Sequence, residues 1–260
     1  MTPTVRPTAI PVLLYHSVRD EPVKGVERWT VSTSQFGEHV SAIVDSGRTP
    51  LTVSELVDAT RGGRPMPERA VVVTFDDGYL DTLAAVDRLV DRGLCATVYV
   101  TAGYLGRRDM LRRSDVASLE SRAGVEVGAH GITHRRLDEL PYDEIEQELS
   151  GSRAVVADLI RHECRSFAYP HGAHDRRVAA LTRSTGYSSA AAVKNALSHA
   201  GDDAFALARV TIEAGCSLAF LSRALNGDLR LARPGEAWRT RGYRWSRRLA
   251  RRVSREVPKS

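Results

Sequence analysis

Cysteine is scarce in this chain, and what there is cannot build a covalent framework. Cys95, Cys164 and Cys216 are the only three, far apart and without a Cys-x-x-Cys pair. An odd number at such spacing argues for free thiols in a reducing compartment. Cys95 and Cys164 lie beside apolar runs and read as small core residues. Long apolar runs are missing too: no window approaches the roughly 18 residues of a spanning helix. The opening Met1-Thr-Pro-Thr-Val-Arg-Pro-Thr-Ala-Ile-Pro11 lacks a basic stretch followed by an apolar one, so the expectation is a soluble, unexported, cytoplasmic chain. There is no internal repeat and no low-complexity segment.

What is present is enough for one core. A chain of 260 residues, 42% of them hydrophobic, fits one α/β domain. The expected division is an extension over 1–9, a domain over 10–230 and a basic tail over 231–260. Between Arg233 and Lys259 ten basic residues stand against Glu236 and Glu256, so the tail carries +8 of a total +5 and the remainder is slightly acidic at −3. Trp245, Leu249 and Val253 recur every four positions among Arg247, Arg248, Arg251, Arg252 and Arg255, the pattern either of a helix able to lie on an anionic membrane surface or of a solvated, partly disordered tail. No stacking module or recognition fold accompanies these charges, so nucleic acid is not expected as a partner.

Apolar β-branched runs alternate with helical periodicities. Strands are expected at Ile10–His16, from Ala70, at Cys95–Val100, Val125–Ala129, Ser166–Tyr169, Tyr187–Val193 and Ala204–Ile212. Between them come helices capped by Ser34, by Thr52 or Ser54, and by Ser114, one over Leu80–Val90, and a long one with Pro141 in its first turn. Arg176–Thr185 and Leu218–Leu225 read as helices as well. Such alternation favours a parallel sheet or barrel, whose reactive groups gather at the carboxyl ends of the strands.

Ala70 to Tyr79 is the stretch the rest is arranged around: a run able to be buried on both faces, then Asp76, Asp77 and Gly78. Adjacent carboxylates at the mouth of a buried sheet repel one another, which makes sense if a cation or a proton-transfer task separates their roles. Taken alone, Asp77-Gly78 is equally a turn with Asp76 capping the next helix. His130-Gly-Ile-Thr-His134 places two imidazoles four apart after a strand; alone such a pair is more often surface histidine, but with Asp-Asp-Gly at a neighbouring strand end, two histidines and one carboxylate can hold a divalent ion with a position left open.

Thr74-Phe-Asp-Asp-Gly-Tyr79, then His130-x-x-x-His134, then Arg165-Ser-Phe-Ala-Tyr-Pro170, in that order, resemble the motifs of the polysaccharide deacetylase family, the NodB-homology or carbohydrate esterase family 4 domain. Leu14-Tyr-His-Ser-Val18 resembles the first strand of many members, and the likeness spans about residues 10–226. The resemblance implies a distorted (β/α)7 barrel of a single α/β domain. It implies Asp76 as general base, with Asp77, His130 and His134 as metal ligands and Arg165 paired with Asp76. Tyr79, Tyr169 and Pro170 would line the substrate groove, and the backbone N–H of His171 would share developing oxyanion charge. The metal would be zinc, with cobalt, nickel or manganese as alternatives. The implied reaction removes an N-acetyl group from an N-acetylated sugar in a polysaccharide or glycan precursor; the basic tail adds the expectation of a lipid-linked sugar reached at the inner membrane face.

Two family features are missing. A late Leu-x-His motif, source of the proton for the leaving amine in many relatives, has as its nearest match Leu207-Ala-Arg209, and arginine is no acid near neutral pH. His16 and His171 are the closest replacements, with His174 and His199 behind them. A tryptophan-bearing fourth motif is not evident. A weakly catalytic carbohydrate binder and a hydrolase of small amides are therefore the competing readings.

Overall fold

The computed structural model describes residues 9–228. The expected extension and the basic tail with its amphipathic pattern lie outside the described residues, apart from Ala9. Seven parallel strands form a curled sheet in the order Val210–Thr211, Val12–Tyr15, Ala70–Phe75, Ala96–Val100, Val125–Ala129, Ser166–Ala168, Ser189–Ala191. The short strand Thr49–Pro50 adds to one end of Ala70–Phe75. Between Ser189–Ala191 and Val210–Thr211 the sheet does not pair regularly. Leu207 spans the gap, its N–H on the Ala190 carbonyl and its own carbonyl taking the Ala192 N–H. With helices around the outside, this is the distorted barrel of one α/β domain.

Each strand alternates its side chains between two cores. Leu13, Val71, Val73, Phe75, Val98, Val127 and Phe167 point outward into one large cluster with the helices. Val12, Val72, Tyr99, Ala168 and Ala191 belong to a second, inner cluster. Ala70–Phe75 is buried at all six positions, as a strand covered on both faces must be.

Helix starts follow local capping chemistry, with some shifts from expectation. Ser32, rather than Ser34, caps Thr33–Asp45. Thr52 caps Val53–Thr60 in a reciprocal box with Glu55, and Ser217 caps Leu218–Leu225. Arg112 occupies the cap position before Arg113–Glu120, where Ser114 was expected, and Pro141 sits one place earlier than expected, at the cap of Tyr142–Ile160. The helix after Asp-Asp-Gly begins only at Thr82; Asp81 stands at its cap position without a side-chain cap bond, its carboxylate accepting from Ser17 Oγ and the Val18 N–H, and Asp76 is not a helix cap. Most of Ala204–Ile212 is irregular, and only Val210–Thr211 pairs with the first strand.

All seven strands run the same way, so their carboxyl ends share one rim. His16, Asp76, His130 and Tyr169 each immediately follow a strand, so that rim collects most of the candidate site residues expected from the sequence.

Candidate metal centre and active site

Leaving the central strand, the chain turns sharply: Asp77 has φ 72° and Gly78 φ 85°. A non-glycine residue in the left-handed region costs on the order of 1–3 kcal/mol, and the turn aims the Asp77 carboxylate back over the barrel mouth. There its Oδ1 lies 3.1 Å from His134 Nε2 and 3.4 Å from His130 Nε2. One ligand atom from each of the three residues lies within 4.8 Å of the others. His134 is also left-handed, at φ 58°.

These three groups fit a divalent cation on their own chemistry. Asp77 Oδ1 is buried and has no hydrogen-bond donor of good geometry. His130 is buried, and its Nδ1 donates to the Ala168 carbonyl at 2.8 Å. That bond fixes the ring so that the Nε2 lone pair faces Asp77, the outer-shell arrangement that orients metal-binding imidazoles. Burial by itself would depress the His130 pKa, but Asp76 and Asp77 outweigh it and raise it. Burial opposes ionisation of Asp77 also, yet His130 and His134 hold its pKa well below the carboxylate range.

Asp76 stands beside this clasp with a different environment. It is buried, and its two oxygens meet one guanidinium: Arg209 Nη1 to Oδ1 at 2.6 Å and Nη2 to Oδ2 at 2.7 Å. Arg209 is itself fully buried, and also donates to Thr74 Oγ1 at 3.2 Å and to the Ala192 carbonyl at 3.1 Å. Desolvation pushes the Asp76 pKa up; the charge of Arg209, then that of His130, overcomes it and leaves the carboxyl below its ordinary value. Asp76 Oδ2 faces the clasp, 3.8 Å from His130 Nε2.

The arginine is the main correction to the sequence reading. Arg165, expected on Asp76, instead makes a fork with Asp58, Nη2 to Oδ1 at 2.6 Å and Nη1 to Oδ2 at 3.1 Å. Arg165 and Arg209 both precede their strands; Arg165, two residues before the outward-facing Phe167, points out of the barrel, whereas Arg209, next to the outward-facing Val210, points into the interior where Asp76 is reached. In the sequence Arg209 stands out only as the non-acidic residue of Leu207-Ala-Arg209. Its signal was there: an arginine in an otherwise apolar run entering the last strand needs a buried carboxylate partner.

The groove residues divide as well. Tyr79 is half-buried with its hydroxyl beside Asp77; burial first, then the Asp77 charge, raises its pKa. Tyr169 is wholly buried, its hydroxyl on the Phe205 carbonyl at 3.0 Å. Strand alternation puts it on the outward side with Phe167, so the expectation that it lines the substrate groove is corrected. Pro170 is buried too, close against Gly131, and is likewise corrected.

Of the imidazoles offered as proton donors, two reach the rim. His16 packs against Trp29, ring centroids 5.3 Å apart, and its Nδ1 is buried without a partner. Burial lowers its pKa, opposed by Asp77 and Asp76. His171, at φ 59°, meets the His134 ring edge-on at 4.5 Å and donates from Nε2 to the His134 carbonyl at 3.2 Å. His174 instead stacks on Tyr169. His199 neighbours Ser198, which pairs with Ile10 at the amino end of the first strand, so it is at the wrong end.

Residues 63–190 match the family model described as polysaccharide deacetylase. Over 215 residues the chain is 24% identical to a Bacillus subtilis protein named as a polysaccharide deacetylase, YxkH, covering 82% of this chain and 75% of that one. Over 66 residues it is 41% identical to the poly-beta-1,6-N-acetyl-D-glucosamine N-deacetylase of Escherichia coli K12, a match spanning 25% of this chain and only 10% of that protein. The fold is that of the Streptococcus pyogenes deacetylase PplD solved with acetate: TM-score 0.77 at 20% identity, covering 85% of this chain and 99% of the other.

Proposed function

From the premise that this chain, through residues 63–190, belongs to the polysaccharide deacetylase family, we propose that it is a metal-dependent hydrolase that removes N-acetyl groups from an N-acetylated sugar of a polysaccharide or glycan precursor. One observation carries the reading: a clasp of Asp77, His130 and His134, with a second carboxylate beside it that is held ionised by its own arginine. Asp77, His130 and His134 would hold the metal, zinc before cobalt, nickel or manganese, and when bound it would supply Lewis-acid polarisation and a lowered water pKa.

The chain's own groups do the rest. Asp76 Oδ2 accepts the proton from the attacking water. Arg209 donates to both Asp76 oxygens and so fixes the orientation of the carboxylate, with Oδ2 toward the clasp. The N–H of His171 donates to the oxyanion that develops on the acetyl carbonyl. The proton that Asp76 takes from the water is passed to the leaving amine through His16, whose ring feels the charges of Asp77 and Asp76 and whose Nδ1 has no other partner; His171 is the weaker choice, because its Nε2–H is engaged by His134. Tyr79 stands at the substrate edge beside Asp77.

The test is acetate release from N-acetylglucosamine oligomers, run with zinc, with chelator, and with Asp76→Asn. Zinc-dependent release that the substitution abolishes is expected. Bound zinc with no release from any acetylated glycan would instead support the carbohydrate binder, and release only from small amides would support the small-amide hydrolase.

The charge of Arg233–Lys259 supports one further element, contact with anionic lipid headgroups and so access to a lipid-linked sugar from the cytoplasmic face. Among the described residues no helix is long and apolar enough to cross a membrane. Flotation with anionic liposomes, comparing the full chain with one ending at Ala232, tests it: equal flotation removes this element.

A further inference from the structure

One buried carboxylate outside the reacting set is bound to the loop that carries both histidines. Glu148 lies in the middle of the helix Tyr142–Ile160 and is 3% exposed. Its Oε2 accepts the N–H of Ile132 at 2.6 Å and that of Thr133 at 3.0 Å, and its Oε1 accepts the Thr133 hydroxyl. All three donors belong to the short link between His130 and His134. The nearest cation is Arg135, whose Nη2 is 3.8 Å away.

The link has little other freedom, and glycine stands wherever it is approached closely. Gly131 is left-handed at φ 75°, and a Cβ there would come within 3.0 Å of Glu148 Oε2. A Cβ at Gly103 would lie 2.4 Å from the Ile132 carbonyl oxygen, and one at Gly151 2.5 Å from Ile132 Cδ1. Ala102 and Gly103 donate their N–H groups to the carbonyls of Gly131 and Ile132. His130 is already fixed by its strand and by the Ala168 carbonyl. His134, at the far end of the link and left-handed, takes its place from the link together with His171, whose Nε2 donates to its carbonyl.

We propose that Glu148 is the positioning residue of the metal centre: its carboxylate gathers two backbone N–H groups and one hydroxyl of the 131–133 link, and thereby holds His134 Nε2 opposite Asp77. The inference rests on the metal-dependent reading of the clasp. Partners that orient ligands without touching the metal change affinity by about 10–100-fold when lost, and Glu148 holds three donors at once.

Zinc affinity, measured by competition with a chromophoric chelator on the full chain, separates this role from simple support of the fold. Glu148→Gln is expected to bind zinc at least about tenfold more weakly, and Glu148→Asp, which keeps the charge, to recover part of the loss. Thr133→Val removes the hydroxyl that donates to Glu148 and accepts from the exposed Arg135 Nε; it is expected to weaken zinc about fivefold, the worth of the one buried hydrogen bond, and it keeps the test decisive if Glu148→Gln fails to fold. Zinc affinity within twofold of wild type in the folded variants, whatever their melting temperatures, overturns the proposal. Asp77→Asn serves as the control: if it too keeps full affinity, the metal reading of the clasp has failed, a result distinct from failure of Glu148 alone.

Discussion

Replacing Arg209 by methionine removes one half of a fully buried ion pair and leaves the other half in place. Asp76 then has two options. It remains ionised without a partner, for which broken buried pairs cost about 3–5 kcal/mol. Alternatively it takes up a proton, at about 1.36 kcal/mol for each pH unit above an ordinary carboxyl pKa near 3.9, hence about 4 kcal/mol at pH 7 and about 1.5 kcal/mol at pH 5. The cheaper route sets the penalty, so Arg209→Met is expected to lose about 4 kcal/mol at pH 7 and distinctly less at pH 5.

The wild-type protein behaves in the opposite sense. Its Asp76 pKa is lowered on folding, so this group's stabilisation is present above the unfolded pKa and disappears as pH falls through the folded value. In the variant the pKa is raised, and acid relieves the strain. Urea unfolding at pH 7 and pH 5 reads the difference directly. Arg165→Met is the comparison, because its partner Asp58 is 36% exposed and the pair is worth only about 0–1 kcal/mol. Activity should divide the same way, with Arg209→Met losing its base to protonation and Arg165→Met retaining turnover. A deficit that is the same at both pH values, or an equal cost for the two arginines, would refute the assignment of Arg209 to Asp76.

Other consequences can be checked singly. His134→Ala is expected to lose zinc uptake while unfolding cooperatively, as read by metal content after dialysis; retention of one zinc per chain would count against the clasp. His16→Gln should lower kcat by about 100-fold, the usual scale for a positioned acid, without altering zinc content; unchanged kcat would transfer the role to His171. Gly103→Ala places a Cβ against the Ile132 carbonyl, so a loss of about 1–3 kcal/mol in urea unfolding is expected. Should that variant be as stable as wild type, the link between the histidines is looser than its contacts indicate.

Much of the clasp could be read along the chain because its logic is local. An apolar strand that ends in two carboxylates and a glycine must turn at its end, and a strand that ends in histidine delivers that imidazole to the same rim. Parallel alternation of strands and helices then brings Asp77, His130 and His134 together, since every carboxyl end faces one way. Capping was local in the same sense at Thr52 and Ser217, whose side chains accept from the N–H three residues on.

The partner of Asp76 was another matter. Arg165 lies in a motif next to Tyr169 and Pro170, yet alternation along its strand turns it, like Phe167, out of the barrel. Arg209 is 133 residues from Asp76 and reaches it because the last strand pairs with the first. Which charge neutralises which depends on strand order and on which residues of a strand are turned into the barrel interior, and neither is settled by neighbouring residues alone. The same holds for Tyr169, where alternation turned the ring away from the rim, and for Glu148, whose helical position has meaning only once the helix is packed on the histidine loop. The sequence by itself determined which groups stand at strand ends; only tertiary packing decided which of them are desolvated together, because burial makes pairing compulsory and is a property of the assembled barrel.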